Sequence, residues 1–109
     1  MIFDEAFYRK MATQKWRQQD YKKAAEYYEK VLELSPEDFD IQQHYAQCLV
    51  KLNIGKKAER LFYENIVKDF HVAESFYELS QLNIELNEPN KAFLFGINYV
   101  ILSDDKDFR

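Results

Sequence analysis

The sequence predicts an all-α protein, a right-handed α-solenoid of three helix–turn–helix repeats with six antiparallel helices. A small residue recurs at a period of 34, at Ala24, Ala58 and Ala92. Only two Gly and two Pro occur in 109 residues, which is too few for a turn-rich β-sandwich. Apolar residues make up 47% of the chain, enough to give each helix a buried face.

The period of 34 extends to other positions, and it divides the chain into windows 5–38, 39–72 and 73–106. The sets that keep their character are Ala12, Ala46 and Ser80, all small, and two large apolar sets, Met11, Tyr45 and Leu79, and Leu32, Ile66 and Val100. Where two helices cross closely, a side chain larger than Ala or Ser would separate their backbones. We therefore expect a single domain over residues 1–109 in which each window is one helix pair.

Capping and breaking residues place the first three helices. Asp4 is predicted to cap a helix over 5–18, and Asp20 a second helix over 21–34. Pro36 then interrupts the chain because it lacks a backbone donor. Asp38 is placed to cap a third helix over 39–52.

Turn residues place the remaining three helices. The run Asn53-Ile54-Gly55 supplies a turn, and a fourth helix is predicted from there to about residue 69. The last pair is predicted over 73–86 and 89–102, with Pro89 suited to a first helical turn. Such short connections require neighbouring helices to pack antiparallel.

The first window resembles the tetratricopeptide repeat, a helix–turn–helix unit of about 34 residues. The residues that carry the resemblance are Tyr8, Met11, Ala12, Tyr21, Ala24, Tyr28 and Pro36. Through the period it extends over essentially the whole chain, with departures at Lys15, Asn65, Phe70, Gly96 and Asp104. The resemblance implies a protein-interaction scaffold or adaptor, in which the first helix of each pair lines a concave groove for a peptide or helix.

Projecting the family's inward positions predicts the partner-binding residues of this groove. They are Arg9, Thr13, Trp16, Gln43, Gln47, Lys51, Glu74, Tyr77 and Gln81. Long amides suit hydrogen bonding to an extended backbone, and aromatic side chains suit anchoring, although a polar wall or ordinary packing of Trp16 would give the same pattern. Family members that clamp a carboxylate use cations where this chain has Glu74 and Glu78. A partner with a basic segment is therefore expected, lying toward the third window, which holds six acids and two bases.

The predicted last helix is apolar all round and needs cover on more than one face. It reads AFLFGINYVIL over residues 92–102. We expect a fragment of a longer repeat protein; the alternatives are a homodimer that hides this helix or a weakly covered edge of the solenoid. The candidate oligomer face is Phe93, Phe95, Ile97, Val100 and Ile101. The alternative function that follows is a structural spacer or homodimerisation segment of a larger protein.

Composition and motif content argue against other classes of function. Fifteen basic residues against 19 acidic ones give a net charge of −4, which disfavours nucleic-acid binding, and no apolar run is long enough to span a membrane. His44 and Cys48 are four residues apart, but with no second Cys we expect no metal site, and no cofactor motif is present. No nucleophile–base pattern is present, so an enzyme is not expected. One Cys is compatible with a cytoplasmic location.

Overall fold

The computed structural model describes residues 4–107, and the side chains of residues 4–103. It contains six α-helices and no strand within the described residues, which confirms the all-α prediction. The helices are α1 (Glu5–Arg17), α2 (Tyr21–Leu34), α3 (Phe39–Lys51), α4 (Gly55–Val67), α5 (Val72–Glu85) and α6 (Pro89–Asp107).

The predicted end of the last helix was wrong. The sequence predicts that α6 stops at Leu102, but the helix continues to Asp107. The prediction relied on the loss of apolar residues after Leu102, which does not by itself end a helix. In the first repeat Pro36 follows the end of α2, whereas the matching position of the third repeat is Asp104, which keeps its backbone donor.

Three aspartates cap helices as predicted. The side chain of Asp4 accepts a hydrogen bond from the amide of Phe7 at 2.9 Å. Asp20 accepts from the amide of Lys23 at 3.2 Å. Asp38 accepts from the amide of Ile41 at 3.1 Å. Each carboxylate thereby satisfies one of the backbone donors that a helix N-terminus leaves without a partner.

The turn inside each helix pair repeats in the backbone. Gln19, Asn53 and Asn87, spaced 34 residues apart, all adopt left-handed conformations, with φ of 60°, 62° and 60°. The amide after each donates to a carbonyl five residues earlier, as Asp20 does to Lys15 at 2.9 Å. This is the Schellman ending of a helix. It shows the period of 34 independently of side-chain identity.

We expect Gln19→Gly to raise the free energy of unfolding by about 0.5–1 kcal/mol, because a left-handed backbone strains any residue with a Cβ. Equilibrium urea unfolding measures the change. The control is Gln18→Gly, one residue earlier, where φ is −81° and glycine should only loosen the chain. Equal destabilisation by both substitutions would contradict the left-handed turn.

The chain divides into two compact units, Met1–Leu61 and Phe62–Arg109, with the boundary inside α4. In the first unit α2 packs against both α1 and α3, and in the second α5 packs against α6. Five of the six predicted small-residue positions are buried: Ala12, Ala24, Ala46 and Ala58 are inaccessible, and Ala92 is nearly so. The sixth, Ser80, is partly exposed. Large apolar side chains complete each core, with Tyr28 and Val31 in the first unit and Phe62 and Leu79 in the second.

Candidate functional site

Most of the predicted partner-binding residues reach the surface. Thr13, Lys51, Glu74, Tyr77 and Gln81 are exposed, and Arg9, Trp16 and Gln47 are partly exposed. Gln43 differs, because only 2% of it is accessible. A partner that meets the folded chain cannot reach the amide of Gln43, so this residue belongs to the core of the first unit.

Arg9 is engaged in an ion-pair cluster of the first unit. Its guanidinium donates to Oε1 of Glu5, with Nη2 at 2.6 Å, and also to a carboxylate oxygen of Asp38. The hydroxyl of Ser35 donates to the other oxygen of Glu5 at 2.9 Å. The cluster ties α1 to the turn between α2 and α3. Arg9 therefore has a structural role in addition to its predicted contact with a partner.

The cluster shifts the pKa values of its carboxylates. Hydrogen bonds from Arg9 and then from Ser35 lower the pKa of Glu5. Burial alone would raise the pKa of Asp38, but hydrogen bonds from Arg9 and from the amide of Ile41, at 3.1 Å, outweigh it and lower that pKa. Both acids are therefore held in the charged form that pairs with arginine.

Aromatic contacts hold the two predicted aromatic anchors. The ring of Trp16 meets that of Tyr21 edge-on, with centroids 5.2 Å apart, across the turn between α1 and α2. In the second unit Tyr77 packs against Tyr99, also at 5.2 Å, yet 45% of Tyr77 stays accessible. Tyr77 is thus a fixed and accessible ring, the combination that favours binding at low entropic cost.

A shallow groove of about 620 Å³ runs along the exposed face of α1. It is lined by Arg9, Lys10, Thr13, Gln14, Arg17 and Gln18. Two predicted binding residues, Arg9 and Thr13, therefore line one surface. Since Arg9 pairs with two acids, Lys10 and Arg17 supply the remaining positive charge of this groove.

A second groove, in the second unit, has an apolar lining. We call it the α5/α6 groove; its volume is about 620 Å³, and it is lined by Ser80, Ile84, Pro89, Ala92, Phe93, Gly96, Ile97, Val100 and Ile101. Four of the five residues predicted for an oligomer face lie on it. Phe95 does not, because its ring packs between those of Tyr63 and Phe76, with centroids 5.7 Å and 6.3 Å away.

Gly96 shapes the α5/α6 groove, and sequence reasoning did not single it out as part of a site. It stands 34 residues after Phe62 and 68 after Tyr28, both buried aromatic residues. The hydroxyl of Ser80 donates to the carbonyl of Ala92 at 3.0 Å, and a Cβ on Gly96 would lie 3.3 Å from that hydroxyl. A glycine at a position that is aromatic in the first two repeats is the sequence feature that would have located the groove.

His44 and Cys48 differ in their exposure to solvent. Cys48 is fully buried, and burial raises the pKa of its thiol to about 12. His44 is exposed and stacks on Tyr28, with ring centroids 6.0 Å apart. Within the described residues no three His, Cys, Asp or Glu side chains are grouped as metal ligands, and no helix is long and apolar enough to cross a membrane.

Comparison with known proteins places these helix pairs in a repeat class. Residues 15–62 match the family model for the tetratricopeptide repeat. No curated protein matches the sequence. Among 16 matching chains of solved structures, one described as the crystal structure of MamA protein has 20% identity and a TM-score of 0.79. The match covers 94% of this chain and 56% of the MamA chain, so this chain spans little more than half of that one.

The chain is similar to the tetratricopeptide repeat family over residues 15–62, and it has the all-α, solenoid-type fold that the sequence predicts. Tetratricopeptide repeats are non-catalytic units that generally mediate protein–protein interaction. The likeness to MamA, at 20% identity, concerns the fold alone.

Proposed function

We propose that the chain is a scaffold or adaptor module that binds a peptide or helix of a partner protein through the exposed residues of α1, α3 and α5. The observation that carries this is the repeat match over residues 15–62, together with binding side chains that stay accessible. The exposed contacts are Thr13 and Lys51 in the first unit, and Glu74, Tyr77 and Gln81 in the second.

Charge supports a partner with a basic segment for α5. Glu74 is exposed on the first turn of this helix, and Glu85 is exposed on its last turn. The third window carries a net charge of −4 from six acids and two bases. Rim charges of this kind select partners of opposite sign and raise association rates. The proposed location is the cytoplasm, in keeping with the single buried free thiol of Cys48.

Affinity capture from a lysate of the source cell tests this function. The bait is compared with a variant in which Lys51, Tyr77 and Gln81 are replaced by alanine. We omit Arg9 and Gln43 because their loss would disturb an ion pair and the core. The control bait replaces three exposed residues of the second helices, Lys22, Glu26 and Glu64, with alanine.

We expect a partner that the unchanged and control baits retain and the Lys51, Tyr77, Gln81 variant loses. Circular dichroism checks that all three baits keep the same helix content. Capture of the same partners by all three baits would contradict binding through the first helices.

A second candidate function is a structural spacer or homodimerisation segment. It is favoured by the exposed apolar side chains of α6, including Phe93, Leu94, Val100 and Ile101. Sedimentation equilibrium over a concentration range tests it. A concentration-dependent dimer without any captured partner would favour this candidate over the adaptor.

A further inference from the structure

The α5/α6 groove occupies a position that another helix covers in the first unit. Counting back by 68, two repeat periods, its Phe93 and Gly96 correspond to Ala25 and Tyr28 of α2. Ala25 and Tyr28 are 5% and 4% accessible, whereas Phe93 is 68% accessible. The same face of the repeat is therefore closed in one unit and open in the other.

The helix that covers α2 is α3, and two contacts fix its position. The imidazole of His44 stacks on the ring of Tyr28, with an angle of 16° between their planes. The hydroxyl of Tyr45 donates to Oε1 of Glu29 at 2.7 Å. In α6 the residues that match Tyr28 and Glu29 are Gly96 and Ile97. A helix on α6 would meet empty space at the first position and an apolar side chain at the second.

This difference defines the side chains that an occupant needs. At the position where α3 carries His44, the occupant needs a large aromatic residue, because this side chain must fill the space that the ring of Tyr28 fills in the first unit. At the position where α3 carries Tyr45, the occupant needs an aliphatic residue, since Ile97 accepts no hydrogen bond. Together with the buried positions of Ile41 and Cys48 in α3, these two positions give the i, i+3, i+4, i+7 spacing of an apolar stripe.

Charge defines one end of the occupant. Glu85 and Glu88 are exposed beside Ile84 and Pro89 at one end of the α5/α6 groove. These two acids favour a basic residue at that end of the occupant.

We propose that the α5/α6 groove binds an amphipathic helix of a partner protein, with an aromatic residue over Gly96 and a basic residue beside Glu85 and Glu88, in the position that α3 takes on α2. A second copy of this chain fits less well, because two copies meeting on this face would bring together two acidic regions, each with a net charge of −4. The groove is separate from the exposed residues of α1, α3 and α5 in the proposed adaptor function.

A designed peptide probes this proposal. It has the α3 sequence, residues 39–51, with three replacements: His44→Phe, Tyr45→Leu and, against oxidation, Cys48→Ala. Lys51 supplies the basic end. A hydrocarbon staple joins positions 40 and 47, which are exposed and partly exposed in α3, because an isolated helix of this length is marginal in water. The readout is nitrogen-15 NMR of the glycine-labelled chain, since it has only two glycines, Gly55 and Gly96.

We expect titration to shift the amide signal of Gly96 and leave that of Gly55 in place. Val100→Lys should weaken binding at least about tenfold, because it replaces an apolar contact with a cation that the apolar stripe of the peptide cannot pair. The matched control is Leu94→Lys on the same helix: Leu94 is 58% accessible, against 53% for Val100, but does not line the groove. It should leave affinity within about twofold, as expected of a residue outside the contact.

A second peptide, with alanine in place of the new phenylalanine, should bind more weakly than the first by about tenfold. Absence of binding, binding that leaves Gly96 unshifted, or equal weakening by Val100→Lys and Leu94→Lys would overturn the proposal. So would sedimentation that shows a homodimer which Val100→Lys dissociates, since a second copy would then be the occupant.

Discussion

Phe62→Ala is expected to lower the free energy of unfolding by about 3–5 kcal/mol, the usual cost of removing a fully buried aromatic side chain. Phe62 is inaccessible to solvent and is the largest fully buried side chain of the described residues. Its loss removes apolar burial and leaves a cavity that its neighbours can close only in part. Equilibrium urea unfolding, followed by circular dichroism, gives the difference.

Phe93→Ala is the matched control for this prediction. Phe93 is the same residue type in the same unit, but 68% of it is accessible. Its truncation should change the free energy of unfolding by no more than about 0.5 kcal/mol, as for other surface substitutions. If the two variants lost similar stability, the burial assigned to Phe62 would be wrong.

The third repeat lacks the aromatic side chain that Phe62 supplies, because Gly96 occupies the same position of the next repeat. Gly96 instead admits the hydroxyl of Ser80 close to α6, where it bonds to the carbonyl of Ala92. The third repeat thus lacks the apolar burial that a ring at position 96 would provide, and the α5/α6 groove stays open there.

The period and the caps were enough to predict the fold. Ala24 and Ala58 are buried as close packing requires, and Asp4, Asp20 and Asp38 cap their helices. These features depend on residues close together in the chain, so they can be predicted from the sequence. The end of α6 could not be predicted, because its residues after Leu102 neither strongly favour nor strongly forbid a helix.

The candidate sites were less predictable, because they depend on which partner a side chain meets. Arg9 was predicted as a partner-binding residue, and nothing in the sequence indicated that Asp38, 29 positions along the chain, pairs with it. Gln43 follows the spacing of exposed residues but is buried. Phe95 lies in an apolar run whose members face different sides of α6, and only the folded chain shows that its side meets Tyr63 and Phe76.

The last prediction concerns Asp38, which both caps α3 and pairs with Arg9. Asparagine caps a helix as well as aspartate does, so Asp38→Asn should remove only the ion pair and lower the free energy of unfolding by about 1 kcal/mol. Asp38→Ala removes the cap as well and should cost about 2–3 kcal/mol. Urea unfolding at neutral pH separates the two roles; equal losses in both variants would mean that the cap contributes nothing.

Lowering the pH should abolish the difference in the free energy of unfolding between the wild type and Asp38→Asn. The pKa of Asp38 in the folded chain lies below its ordinary value of 3.8, so the unfolded chain takes up the proton first as the pH falls. The stabilisation is therefore complete above pH 3.8 and is lost as the pH falls from there through the folded-state pKa. Urea unfolding of both proteins from neutral pH down to about pH 2 covers this window. A difference that stayed constant over the whole range would show that the charge of Asp38 does not stabilise the fold.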